Sequence, residues 1–141
     1  MFLLDKNTTR ILSRAIDKMG GQESIDLPLE DHPLLRLQRL DDIETGQGDG
    51  YSLAIGQLKS VHPPRYEARM ILLVVDRRDR RKGKGTMTVF PVSFNDDVND
   101  VSEIGALLAK GKVRKFSTII QQSLAEYART WLAGLSTAGY F

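Results

Sequence analysis

The chain has 141 residues, 41% hydrophobic and 27% charged, with a formal net charge of +2 and no cysteine. A chain of this size buries a core without any disulfide or metal staple, and its apolar content excludes intrinsic disorder. The missing cysteines exclude disulfides, thiolate nucleophiles and cysteine-ligated zinc or iron–sulfur sites, which fits a reducing, cytoplasmic location.

The net charge conceals segregation. From Gln22 to Gly50 eight acids face two bases, Arg36 and Arg39, whereas from Gly56 to Gly85 nine bases face three acids. Such asymmetry bears on association and solubility, unless the fold neutralises it internally. The opening apolar run, Met1 to Leu4, gives way to Asp5 and Lys6, so neither a signal peptide nor a membrane anchor is expected there. No run approaches the roughly 18 apolar residues that span a bilayer.

In chain order, the first predicted element is a helix capped by Asn7 or Thr8. Ile11, Leu12, Ala15, Ile16 and Met19 share one face of it, and Gly20-Gly21 ends it. An acidic connector with Pro28 and Pro33 follows. Four strands come next, over Leu34 to Leu40, Tyr51 to Lys59, Arg65 to Arg77 and Thr86 to Phe94. The third is apolar on both faces from Met70 to Val75, as expected of a covered central strand. In the fourth, Thr88, Phe90, Val92 and Phe94 alternate onto one side, and Pro91 predicts an edge position or a bulge. The links between strands are too short to hold a crossover helix, so the strands form antiparallel hairpins. A short helix is predicted over Ser102 to Lys110, with Ile104, Leu107 and Leu108 inward. A long one follows from Ser117 to Leu135, where Phe116, Ile119, Ile120, Leu124, Tyr127, Ala128, Trp131, Leu132 and Leu135 make an apolar stripe. The expected fold is a single α+β domain over residues 1 to 141. It holds a four-stranded antiparallel meander with an N-terminal helix and one short plus one long C-terminal helix packed on it.

Three C-terminal segments also form a pattern. They are Val89-Phe90-Pro91-Val92-Ser93-Phe94-Asn95-Asp96-Asp97, Leu124-Ala125-Glu126-Tyr127-Ala128-Arg129-Thr130-Trp131, and the tail from Leu135 to Phe141. Together with Tyr51-Ser52-Leu53-Ala54, the pattern resembles a family of small proteins of unassigned activity carried on bacterial plasmids, conjugative elements and phages. The resemblance implies a bacterial, mobile-element setting and a cytoplasmic site of action. It carries no catalytic residue onto this chain.

The strongest local signal is Asp76 to Gly85, which holds Arg77, Arg78, Arg80, Arg81, Lys82 and Lys84 at a hairpin tip. Such residues grip phosphates, and a basic β-ribbon enters a major groove. The plainer reading is a solvated loop whose charges keep a sheet edge from pairing. Lys110, Lys112, Arg114 and Lys115 form a second basic cluster. The nucleic-acid reading therefore takes Arg77, Arg78, Arg80, Arg81, Lys82, Lys84, Lys112, Arg114 and Lys115.

Asp41, Asp42, Glu44 and Asp49 surround a glycine-rich turn but lack a calcium-loop spacing. Asp96, Asp97 and Asp100 are expected to complement a helix dipole. Asp49 with Gln57-Leu58-Lys59 mimics a nuclease pattern, but its acid opens the same strand as the Gln-x-Lys pair. His32 and His62 each precede proline and lack a spaced zinc partner. No catalytic residue, metal site or cofactor is assigned. The primary expectation is a non-enzymatic protein-binding accessory or host-interaction domain, with an unknown protein partner or self-association. Nucleic-acid binding through the basic loop is the alternative, and no membrane partner is expected.

Overall fold

The computed structural model describes residues 1–78, 83 and 85–141. Among them the elements run α1 (Lys6–Met19), β1 (Ser24–Leu27), β2 (Leu35–Thr45), β3 (Gly48–Ser60), β4 (Arg65–Asp76), β5 (Met87–Asp96), β6 (Val101–Ile104), β7 (Ala106–Ala109), β8 (Lys112–Phe116) and α2 (Thr118–Ala138). The class is α+β with a helix at each end, as expected. The predicted strands correspond to β2, β3, β4 and β5, which pair consecutively and antiparallel. The sheet is not a four-stranded meander, however. Eight strands join it, in the order β6-β5-β4-β3-β2-β8-β7, with β1 paired to β2.

The short helix expected over Ser102 to Lys110 is absent, and strands β6 and β7 stand in its place. Ile104, Leu107 and Leu108 satisfy helical spacing, but the segment is too short to be helical on its own and carries a poor helix former, Gly105, inside it. The free edge of β5 offers backbone partners instead, and Val101–Ile104 pair with Ser93–Asp96. Gly105 then passes the chain from one neighbour to the next. Its N–H donates to Val92 O at 2.7 Å and its carbonyl accepts from Ser117 N at 2.8 Å. The basic segment expected as a linker between helices is β8, which pairs with β7. The turn joining them is Lys110-Gly111, with φ of 54° and 73°. Two positive φ values in a two-residue loop suit the twist of a hairpin. The two ends of the strand order, β6 and β7, are thus consecutive in sequence, and the sheet curls until they meet at Gly105.

Each face of the sheet has its own core. Leu35, Leu37, Leu53, Ile55, Met70, Leu72, Val74 and Val89 pack against Leu12, Ala15, Leu124, Ala128 and Leu132 of the helices. On the other face Ile43, Leu73, Val75, Phe90 and Val92 pack beneath Ala106, with Leu108 and Val113 of the β7–β8 hairpin beside them. Strand β4 alternates between the two cores, which explains its unbroken apolar run.

A bulge decides where β5 sends its side chains. Ile71 pairs with Ser93 but Leu72 pairs with Pro91, leaving Val92 as the extra residue. Phe94 is therefore turned to the helix side, away from Phe90 and Val92, which corrects the expected one-sided alternation. Its ring lies 4.7 Å from that of Tyr127. The Pro91 carbonyl accepts from the buried Gln121 amide at 3.0 Å, and the other end of that amide accepts from Phe2 N at 3.0 Å.

Two further local readings are corrected. Asp5, not Asn7 or Thr8, caps α1 by accepting from Thr8 N at 2.7 Å. Asp96 and Asp97 do not precede a helix. Asp96 accepts from Val98 N and Asn99 N within the β5–β6 turn, and Asp97 accepts from Tyr66 N. Among the described residues no helix is long and apolar enough to cross a membrane.

Candidate functional site

Two concave regions lie at opposite ends of β8. The larger is a polar groove of about 840 Å³ between the end of α1, the β2–β3 hairpin and the Lys110-Gly111 turn. It forms because β2 bulges between Arg39 and Asp42, while Ser52 Oγ accepts from the Asp41 N–H left over there. Arg39 lies over the Tyr51 ring at 4.1 Å and pairs with Asp42 at 3.0 Å. Arg78 pairs with Asp76 at 2.9 Å through a two-pronged contact and reaches Asp17 at 3.2 Å. Lys112 approaches Glu44 at 4.0 Å. These contacts set the local electrostatics. Hydrogen bonding to Asp76 holds the Arg78 guanidinium firmly protonated. Burial pushes the Tyr51 phenol up, and the Asp76 carboxylate adds to the shift.

The groove answers the question raised by charge segregation. Acids of the Gln22 to Gly50 stretch and bases from elsewhere line one wall together, and Asp26 in that stretch also pairs with Arg36 at 2.8 Å. Of the residues in the nucleic-acid reading, Arg78 is tied into this network. Arg77 is exposed, and its Nη2 lies 3.0 Å from where a Cβ on Gly48 would sit. Arg80, Arg81, Lys82 and Lys84 lie outside the described residues. Lys112, Arg114 and Lys115 are exposed along β8, where Arg114 Nε donates to Ala109 O at 3.1 Å. The fold thus brings Arg78 and Lys112 to one groove, interleaved with acids.

The carboxylates do not assemble into a metal site: among the described residues no three His, Asp or Glu side chains converge as ligands. The nuclease-like pattern is likewise dispersed. Asp49 and Gln57 lie on one strand, about 26 Å apart at strand rise. Gln57 Oε1 accepts from Trp131 Nε1 at 2.9 Å.

The second region is an apolar trough of about 440 Å³ where β6 passes into β7 and β8 into α2. Ile104, Leu107, Phe116 and Ile120 line it, with Lys115 its one charged lining residue among those described. Gly105 forms the narrow point, since a Cβ there would stand 3.1 Å from both Gln121 Cγ and Leu124 Cδ1. Ile104 is 53% exposed, Phe116 51%, Leu107 41%, and Ile119, which precedes the lining Ile120, 82%. Sequence reasoning placed all four in the interior. For Ile119 a signal against that existed. It precedes the buried Gln121 by two residues, about 200° around a helix, nearly opposite the side that α2 buries.

No protein-family model matches the chain, and no curated protein or solved structure matches it either.

Proposed function

We propose that this chain is a non-enzymatic protein-binding domain that docks its partner on the trough between β7, β8 and α2. Large apolar side chains exposed to water in and next to the trough carry the reading. Ile104, Leu107, Phe116 and Ile119 gain by burial that the domain itself does not provide, and such patches mark interaction surfaces. An accessory or host-interaction role in a mobile genetic element, acting in the cytoplasm, is the setting we favour. It rests on the Val89 to Asp97 and Leu124 to Trp131 segments. Nucleic-acid contact through Lys112, Arg114 and Lys115 is the second reading, supported by their exposure. Apolar side chains interleaved with these bases favour protein, because a phosphate backbone gives them nothing to bury against.

The test is a photo-crosslinking residue placed in cells at Ile119 and, as a control, at exposed Glu126. The expected result is a discrete adduct from position 119 alone, sensitive to protease, resistant to nuclease, and lost on Phe116→Asp. Nuclease-sensitive adducts, or equal adducts from both positions, would remove the reading.

A further inference from the structure

The trough does not stand alone. A second cleft of about 440 Å³ lies on the other side of Phe116, lined by Met1, Glu44, Lys112, Arg114, Lys115 and Phe116. Lys115 and Phe116 belong to both depressions. One side of the Phe116 ridge is therefore apolar, while the other carries three bases against one acid. That acid neutralises little, because Glu44 and Lys112 meet only at 4.0 Å with both side chains largely exposed. The cleft also follows an open strand edge. Among the described residues β8 touches β2 through a single bridge, Glu44 with Lys112, so Val113 to Phe116 have no strand partner on that side.

We infer that this double cleft takes an extended segment of a partner protein in which acidic residues alternate with bulky apolar ones. The apolar side chains fill the trough beside Ile104, Leu107 and Ile120 and reach toward Ile119 next to it. The carboxylates meet Lys112, Arg114 and Lys115, and the partner backbone lies along the open edge of β8. Charge complementarity selects the occupant: a basic or neutral apolar segment gains the same burial but leaves the three bases facing like charge or nothing. The inference rests on the protein-binding reading above and adds the chemistry of the partner.

Fluorescence anisotropy with labelled probes tests it on the full chain. The probes are a short peptide alternating Glu or Asp with Ile or Phe, the same peptide with Lys for each acid, and duplex DNA. The proteins are wild type, Phe116→Ser/Ile119→Ser, and Lys112→Glu/Arg114→Glu/Lys115→Glu. Thermal unfolding first establishes that the variants fold, which exposed positions permit. The acidic peptide should bind wild type and weaken about tenfold or more in each variant, a loss of about 1.4 kcal/mol. Added salt should weaken its binding to wild type and, by screening like-charge repulsion, strengthen whatever binding the charge-reversed variant retains. Equal binding of acidic and lysine peptides, or indifference to charge reversal, overturns the inference. So does DNA binding lost only in the charge-reversed variant. So does a dimer in light scattering that Phe116→Ser/Ile119→Ser dissolves, since the occupant is then a second copy. A crosslinked partner at position 119 with no affinity for the acidic peptide removes this inference and leaves the docking surface standing. Failure of both experiments removes the surface itself.

Discussion

The polar groove and the apolar trough lie at opposite ends of one short strand, yet folding treats them in opposite ways. In the groove nearly every named charge has met another. Arg78 holds Asp76 and Asp17, Arg39 holds Asp42, and Tyr51 supplies an aromatic face beneath Arg39. In the trough Ile104 and Phe116 keep 53% and 51% of their surface in water, and Ile119, next to the lining Ile120, keeps 82%. The difference teaches which residues to read for function. A run of charge in a sequence is weak evidence, because folding can supply its counter-charges. An apolar surface that folding leaves exposed costs free energy continuously, and a partner recovers it.

The hardest way to break this contrast is to remove the core that seats the β7–β8 hairpin. Phe90 is buried on that face of the sheet. Phe90→Ala should cost about 3–5 kcal/mol in urea unfolding and should speed amide exchange in β8, which holds both clefts in place. Unchanged β8 exchange would mean that the hairpin is held from elsewhere. Next in size is the joint beneath the trough. Gln121→Leu leaves Pro91 O and Phe2 N–H without their partner and should cost about 1–3 kcal/mol.

The groove should respond to loss of its central cation in the same range. Arg78→Met removes the cation that Asp76 and Asp17 share and should cost about 1–3 kcal/mol. A loss near zero would show the network to be a solvated surface feature. Acid offers a milder probe. Thr8 N–H holds the Asp5 carboxyl below the ordinary value of 3.8, and Arg36 does the same for Asp26. A carboxyl with a depressed folded pKa contributes fully above its unfolded value and loses that contribution as pH falls through the folded one. Urea midpoints should therefore fall from about pH 4 downward, and Asp5→Ala/Asp26→Asn should flatten that decline. The Asp5→Ala cap loss alone should cost about 1 kcal/mol at neutral pH.

The smallest expected effect on stability is the most informative for function. Ile119→Ser should change unfolding free energy by less than about 0.5 kcal/mol while weakening binding of the acidic peptide. A large loss of stability there would mean that Ile119 is held in the domain's own core, and the contrast between groove and trough would fail.

Much of the fold follows from local signals. The face of α1 and its glycine stop, the buried centre of β4 and the antiparallel pairing of β2 to β5 were all readable from period, breakers and loop length, whereas Pro91 left an edge position and a bulge equally open. The candidate site was not. Val101 to Phe116 fits a helix and a linker as readily as three strands, and the choice fell to the open edge of β5, which lies outside the segment. Phe94 and Phe90 have the same spacing parity, but one extra residue at Val92 sends them to different faces.

The sequence by itself determined the helix at each end, the four central strands and where charge is concentrated, because periodicity, turn residues and composition act within a few positions. Only the tertiary structure decided which charges neutralise one another and which apolar residues stay exposed. A side chain's burial depends on what the rest of the chain lays over it, and among the described residues Phe116 and Ile119 stay 51% and 82% uncovered.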